Sequence, residues 1–185
     1  TAGFPPQLVQ VVHGGPDIGA ALVEANPDKV VFTGSTSAGK QVAAACARRL
    51  IPCVLELGGK DAMIVLADAD VEAASSAAVW GAFTNCGQAC LSTERIYVEQ
   101  SIAESFTQRV VEKTRLLRLG PGSDPENEIG PMIRPQAVDR IECQLQVAVA
   151  AGARVLIGGK RRADLGPCYC EPTIRTGVSQ DMLLV

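Results

Sequence analysis

A parallel α/β fold follows from two features of these 185 residues: short apolar runs alternate with helical stretches, and turn residues separate them. A third feature, Gly58-Gly59, interrupts the alternation after an apolar strand and marks a domain boundary, since adjacent glycines permit a sharp change of direction. Before the boundary, residues 8–13 read as β-type, 17–24 as helix, 29–32 as strand, 37–50 as helix and 53–57 as strand. Strand and helix in strict order make βαβ units.

Beyond it, residues 62–66 read as strand and 70–83 as helix, with Val71, Ala74, Ala78, Val79 and Ala82 near three-and-four spacing. Small side chains on that face imply close packing. A strand at 95–98 follows, then Ser101 with Glu104 forms a capping-box pattern for a helix to about residue 117, striped by Ile102, Phe106 and Val110. Residues 119–134, rich in Gly, Pro, Asp and Glu, read as a surface loop. Pro135 opens a last helix whose face holds Val138, Ile141, Leu145 and Ala148 until Gly152, and 154–157 is a strand.

The charge balance, 17 basic against 20 acidic residues, has no basic excess to suit a nucleic-acid backbone. No apolar run approaches the roughly 18 residues of a membrane span, and the start lacks the form of a secretory signal. Seven cysteines are an odd number in a chain that is not short, so reduced thiols and a cytoplasmic location are expected.

Three motifs carry chemistry. The run from Val30 to Lys40 is a strand, a glycine-rich turn and a helix start, a geometry that aims backbone N–H groups at an anion. Gly34, Gly39 and Lys40 have the spacing of a nucleotide-triphosphatase loop, but Gln41 stands where that loop needs a hydroxyl for magnesium. The same glycines could simply pack a helix on a sheet. Asp68, conceivable as the metal acid of such an ATPase, is more simply a helix N-cap.

Cys90 falls on a turn between the small-residue helix and the next strand, where a thiol can face a cleft. Cys46, Cys53, Cys143, Cys168 and Cys170 read as small buried hydrophobes. Cys86 with Cys90 makes a poor zinc site because His13, the single histidine, is better read as a solvent-facing or capped loop residue; no metal is expected. One histidine also leaves little for a Cys–His pair, so a base must come from elsewhere. Glu56, between Leu55 and Leu57 on a buried strand, would be partly desolvated and so suited to general-base work; a salt-bridged glutamate is the plainer alternative.

Together, F-T-G-S-T-x-x-G at 32–39, E-L-G-G-K at 56–60 and N-x-G-Q-x-C at 85–90 resemble the aldehyde dehydrogenase superfamily of hydrolytic, NAD(P)-dependent type. The resemblance runs from Gly3-Phe4-Pro5-Pro6 through Gly130-Pro131 to Glu171-Pro172-Thr173-Ile174. It implies part of a Rossmann-type cofactor domain, the C-terminal half, over residues 1–58, and the N-terminal part of the α/β catalytic domain over 59–185. It implies that Cys90 is the nucleophile and a backbone oxyanion donor, and that Glu56 activates water to hydrolyse a thioester. Gly34 and Ser35 would lie beside the diphosphate of NAD or NADP, and Leu57 near the nicotinamide.

By the same resemblance the chain is a fragment. The family's first Rossmann strands, with the oxyanion-hole Asn and an adenosine-ribose Lys, precede Thr1, and the E-x-F-G-P segment and oligomerisation strand follow Met182-Leu183-Leu184-Val185. Such a fragment would be inactive alone and would pair with another copy or with missing segments of the same protein, its open edges and apolar faces needing cover. Trp80 and Phe83 read equally as core or as substrate-tunnel wall. A P-loop phosphohydrolase and a non-catalytic scaffold are the alternatives to an aldehyde-oxidising enzyme.

Overall fold

Pro16 opens the first helix of the computed structural model, which describes residues 3–182. Proline suits this place because its missing N–H would be unpaired in any first turn. Helix α1 (Pro16–Glu24) leads to strand β1 (Val30–Gly34), helix α2 (Thr36–Ala47) and strand β2 (Cys53–Leu57). β1 and β2 are parallel, Val30 opposite Cys53 and Gly34 opposite Leu57, with α2 as the crossover. Val23, Cys46 and Ile51 form the small core of this unit, against which Val30, Val42 and Ala45 pack. The chain divides into two compact units at this point, Thr1–Gly58 and Gly59–Val185.

The second unit begins with strand β3 (Asp61–Val65), crosses over through helix α3 (Val71–Phe83) and returns in strand β4 (Thr93–Val98), parallel to β3. Helix α4 (Ala103–Arg115) packs on α3 through Ala78, Val79, Phe106 and Val110, in one core with Val65 of β3. Ala78 is 1% exposed, and its small side chain lets the helices approach closely. Lys113 secures the pair by donating to the Glu72 carbonyl at 3.0 Å and to its carboxylate at 2.6 Å, which holds that carboxyl below the usual range. Helix α5 (Pro135–Ala150) buries Val138, Leu145 and Ala148, and strands β5 (Arg154–Ile157) and β6 (Ile174–Thr176) form an antiparallel pair.

Three expectations are corrected, and one strand was not foreseen. Residues 8–13 form no strand: Val9 and Val11 are 82% and 75% exposed, and no described segment pairs with them. A β-type sequence needs a neighbouring ladder to become a strand. Ser101 does not cap α4, because residues 99–103 turn tightly, with Ile102 N–H bonded to the Glu99 carbonyl at 3.1 Å, and Ile102 takes the cap position without a side-chain bond. Asp68 is no cap either. The turn closed by Ala69 N–H on the Leu66 carbonyl delays the helix, and Asp70 accepts from Glu72 and Ala73 N–H at 2.9 and 3.1 Å. Strand β6, only three residues long, had no period to reveal it.

The β5–β6 connection yields a stability prediction. Gly158 has φ +76°, and a Cβ there would lie 2.1 Å from the Pro172 carbonyl oxygen. Gly158→Ala therefore forces backbone to move, and should cost about 2 kcal/mol or more. Urea unfolding reads it as a lower midpoint; an unchanged midpoint would contradict the packing described.

Candidate functional site

In the first unit, the parallel register gathers four of the expected residues at one end of the β1–β2 pair. Thr33 lies opposite Glu56 and Gly34 opposite Leu57, and Ser35 follows at once as the N-cap of α2. The Ser35 hydroxyl accepts from Ala38 N–H at 3.3 Å, leaving other first-turn N–H groups directed outward. A side chain at Gly34 would strike the Phe32 ring, 2.5 Å from an added Cβ, so the strand ends in bare backbone beside the helix start. These features suit the diphosphate of a dinucleotide, with Gly34 and Ser35 to hold it. Gly39 has the other role: an added Cβ would be 2.6 Å from Leu57 Cδ2, so this glycine packs α2 on β2.

Glu56 departs from expectation in one respect. Its side chain is exposed rather than desolvated, because β2 has only β1 beside it among the described residues. Lys40 is also exposed, and Gln41 leaves the triphosphatase reading without its magnesium hydroxyl.

In the second unit, the sequence between α3 and β4 folds into a turn that presents Cys90. Asn85, Cys86 and Gly87 have φ of 52°, 61° and 71°, three successive residues in the left-handed region. For the two with side chains this costs about 1 kcal/mol each or more. Hydrogen bonds offset the cost: Asn85 Nδ2 donates to the Gln88 carbonyl at 3.1 Å, and Gln88 Nε2 donates back to the Asn85 carbonyl at 3.2 Å. The Cys86 thiol donates to the Gly130 carbonyl at 3.1 Å, and Gln88 Oε1 accepts from Ile133 N–H at 2.9 Å. Ser92, 4% exposed, donates to the Gly81 carbonyl at 3.2 Å. Cys90 lies between these anchorages with its side chain exposed.

The two cysteines of the turn are thus differentiated. Burial pushes the Cys86 thiol up despite its bond to Gly130, and burial likewise raises Cys170, which shares with Cys86 a cavity of about 180 Å³. Both are poor nucleophiles for that reason. Among the other cysteines only Cys46 is buried, at 1% exposure; Cys53 and Cys143 are exposed and Cys168 and Cys170 intermediate, correcting their reading as buried hydrophobes. Edge positions on a strand and a helix need not face a core. Among the described residues no group of three His, Cys, Asp or Glu could hold a metal. His13 is exposed, as is Trp80 at 68%, whereas Phe83 packs against the α3–α4 core.

Lys60 of the E-L-G-G-K run pairs with Glu94, and its carbonyl accepts from Arg95 Nη2 at 2.6 Å, so it joins β3 to β4. An added Cβ on Gly59 would lie 3.6 Å from the Cys90 carbonyl oxygen, so this glycine abuts the cysteine turn. Sequence reading missed Ser92 and the partners of Cys86 and Gln88. Nothing in the letters links position 88 to position 133.

The model of the "Aldehyde dehydrogenase family" matches residues 1–185. A Mycolicibacterium smegmatis protein, provisionally named succinate-semialdehyde dehydrogenase [NADP(+)], is 43% identical over 182 residues, 98% of this chain and 35% of the relative. Vanillin dehydrogenase of Pseudomonas fluorescens is 42% identical over 188 residues, 99% of this chain and 38% of that protein. The crystal structure of an NAD-dependent aldehyde dehydrogenase from Sinorhizobium meliloti superposes with a TM-score of 0.93 at 32% identity, covering 98% of this chain and 37% of that one. The chain therefore spans little more than a third of the length of these relatives.

Proposed function

This chain belongs to the aldehyde dehydrogenase family, and we propose that the whole protein oxidises an aldehyde to a carboxylic acid, with NAD or NADP accepting the hydride. The observation that carries this reading is the exposed Cys90 thiol on a turn fixed from both sides, beside a neighbour, Cys86, whose thiol is half-buried and engaged. Residues 1–58 serve as the C-terminal half of the cofactor domain and 59–185 as the N-terminal part of the catalytic domain.

In this reaction the Cys90 thiolate adds to the aldehyde carbon and gives a thiohemiacetal. A nicotinamide dinucleotide, which Gly34 and Ser35 would hold by its diphosphate and Leu57 would contact, would supply the hydride acceptor. Loss of hydride from the thiohemiacetal leaves a thioester on Cys90, and the Cys90 backbone N–H stabilises the oxyanion. Glu56 then takes a proton from water as the water attacks, releasing the acid and freeing the thiol.

The relatives' names supply an aldehyde as the common substrate class. No described helix is long and apolar enough to cross a membrane. Free cysteines fit a reducing compartment such as the cytoplasm. Exposed apolar side chains, among them Leu50 at 90% and Ile64 at 71%, support assembly with another copy or with further segments of the same protein.

Alkylation of Cys90 by iodoacetamide in the full-length parent, mapped by mass spectrometry, tests the reading. Succinic semialdehyde, vanillin or acetaldehyde, or NAD+ or NADP+, should slow it several-fold. Equal rates with every one of them would overturn it, and magnesium-dependent ATP turnover would favour the phosphohydrolase.

A further inference from the structure

The turn that carries Cys90 is not self-supporting. Its left-handed residues are disfavoured for any sequence other than glycine, and two of the three are Asn85 and Cys86. The reciprocal bonds between Asn85 and Gln88 close the turn locally but do not orient it. Orientation comes from two bonds to a segment more than forty residues away: Cys86 Sγ to the Gly130 carbonyl at 3.1 Å, and Ile133 N–H to Gln88 Oε1 at 2.9 Å. A third bond holds that segment in its turn, from Met132 N–H to the Cys168 carbonyl at 2.8 Å. The turn's exit is held separately, by Ser92 on the Gly81 carbonyl.

We propose that Cys86 and Gln88 are positioning residues that hold the nucleophile's turn against the Gly130 to Ile133 segment, and so set the direction in which Cys90 presents its sulfur. This rests on the reading of Cys90 as nucleophile. The two side chains divide the work. Cys86 contributes a donor and Gln88 an acceptor, so the segment is gripped through a carbonyl at one end and an N–H at the other. The thiol also has Pro131's carbonyl at 3.5 Å as a second acceptor, which keeps it donating if the segment shifts slightly. A cysteine at position 86 therefore acts here as a hydrogen-bond donor rather than as a reactive group, consistent with its half-buried setting.

Two measurements on the full-length parent test the proposal. The first is hydrogen exchange of the Ile133 amide, which reads the grip whatever Cys90 does. Losing one hydrogen bond should speed it about tenfold in Gln88→Met, while Gln88→Glu, which keeps an acceptor oxygen, should restore most of the protection. The second is the iodoacetamide rate at Cys90 divided by that at the exposed Cys143 on the same molecule, which cancels reagent effects and reports partial unfolding. That ratio should fall about tenfold in Cys86→Ala and Gln88→Met, and recover in Cys86→Ser, whose hydroxyl still donates.

Unchanged Ile133 exchange in Gln88→Met would overturn the grip. Faster exchange with an unchanged alkylation ratio would overturn the positioning role. A wild-type Cys90 no more reactive than Cys143 would tell against the nucleophile reading instead, while the exchange arm would still decide the grip.

Discussion

Cys90→Ser in the full-length parent should reduce aldehyde-dependent formation of reduced nicotinamide by about 10,000-fold or more, the scale on which loss of a covalent nucleophile acts. A serine hydroxyl holds its proton far more tightly than a thiol, so almost none of it is ionised near neutral pH. Cys90→Ser should keep the turn, because the turn's anchorages use Cys86, Gln88 and Ser92 and not the Cys90 side chain. Its melting temperature should therefore stay near that of the parent. Cys143→Ser, at an exposed position on α5, serves as the control and should retain activity. Activity of Cys90→Ser within tenfold of the parent would remove the cysteine from the chemistry.

Glu56→Gln should separate the two halves of the reaction. Acylation of Cys90 needs no carboxylate, so the parent variant should release one equivalent of reduced nicotinamide in a burst. Hydrolysis then lacks its base, and steady turnover should fall about 100- to 10,000-fold, the range of general-base catalysis. An intact-mass measurement during the slow phase should find the acyl group on Cys90. A variant that turns over slowly with no burst and an unmodified Cys90 would place Glu56 before the thioester, or outside the chemistry. Position 56 is exposed on β2, so the isosteric amide should not disturb the fold and loss of activity can be read as loss of the base.

Elements with a strong local period were legible in the letters. The α5 face of Val138, Ile141, Leu145 and Ala148 and the strand 154–157 lie where the pattern put them, as do the crossover helices α2 and α3. Misreadings came from places where neighbours decide the outcome. Residues 8–13 have strand composition and no ladder, and Ser101 with Glu104 has a capping pattern inside a turn that shifts the helix start. In each case a local propensity of a few tenths to about 1 kcal/mol gave way to chain geometry.

What the sequence by itself determined is the family, together with the residues on which the proposed chemistry rests. Three spaced motifs name Cys90, Glu56, Gly34, Ser35 and Leu57, because chemistry depends on residue type and order, and both are written in the chain. Only the tertiary structure decided how the turn bearing Cys90 is held, that Cys86 is a donor to Gly130, and that Gly39 packs α2 on Leu57. The physical reason is that a hydrogen bond between positions 88 and 133 depends on a distance of about 3 Å that no local preference encodes. Folding alone brings such positions together.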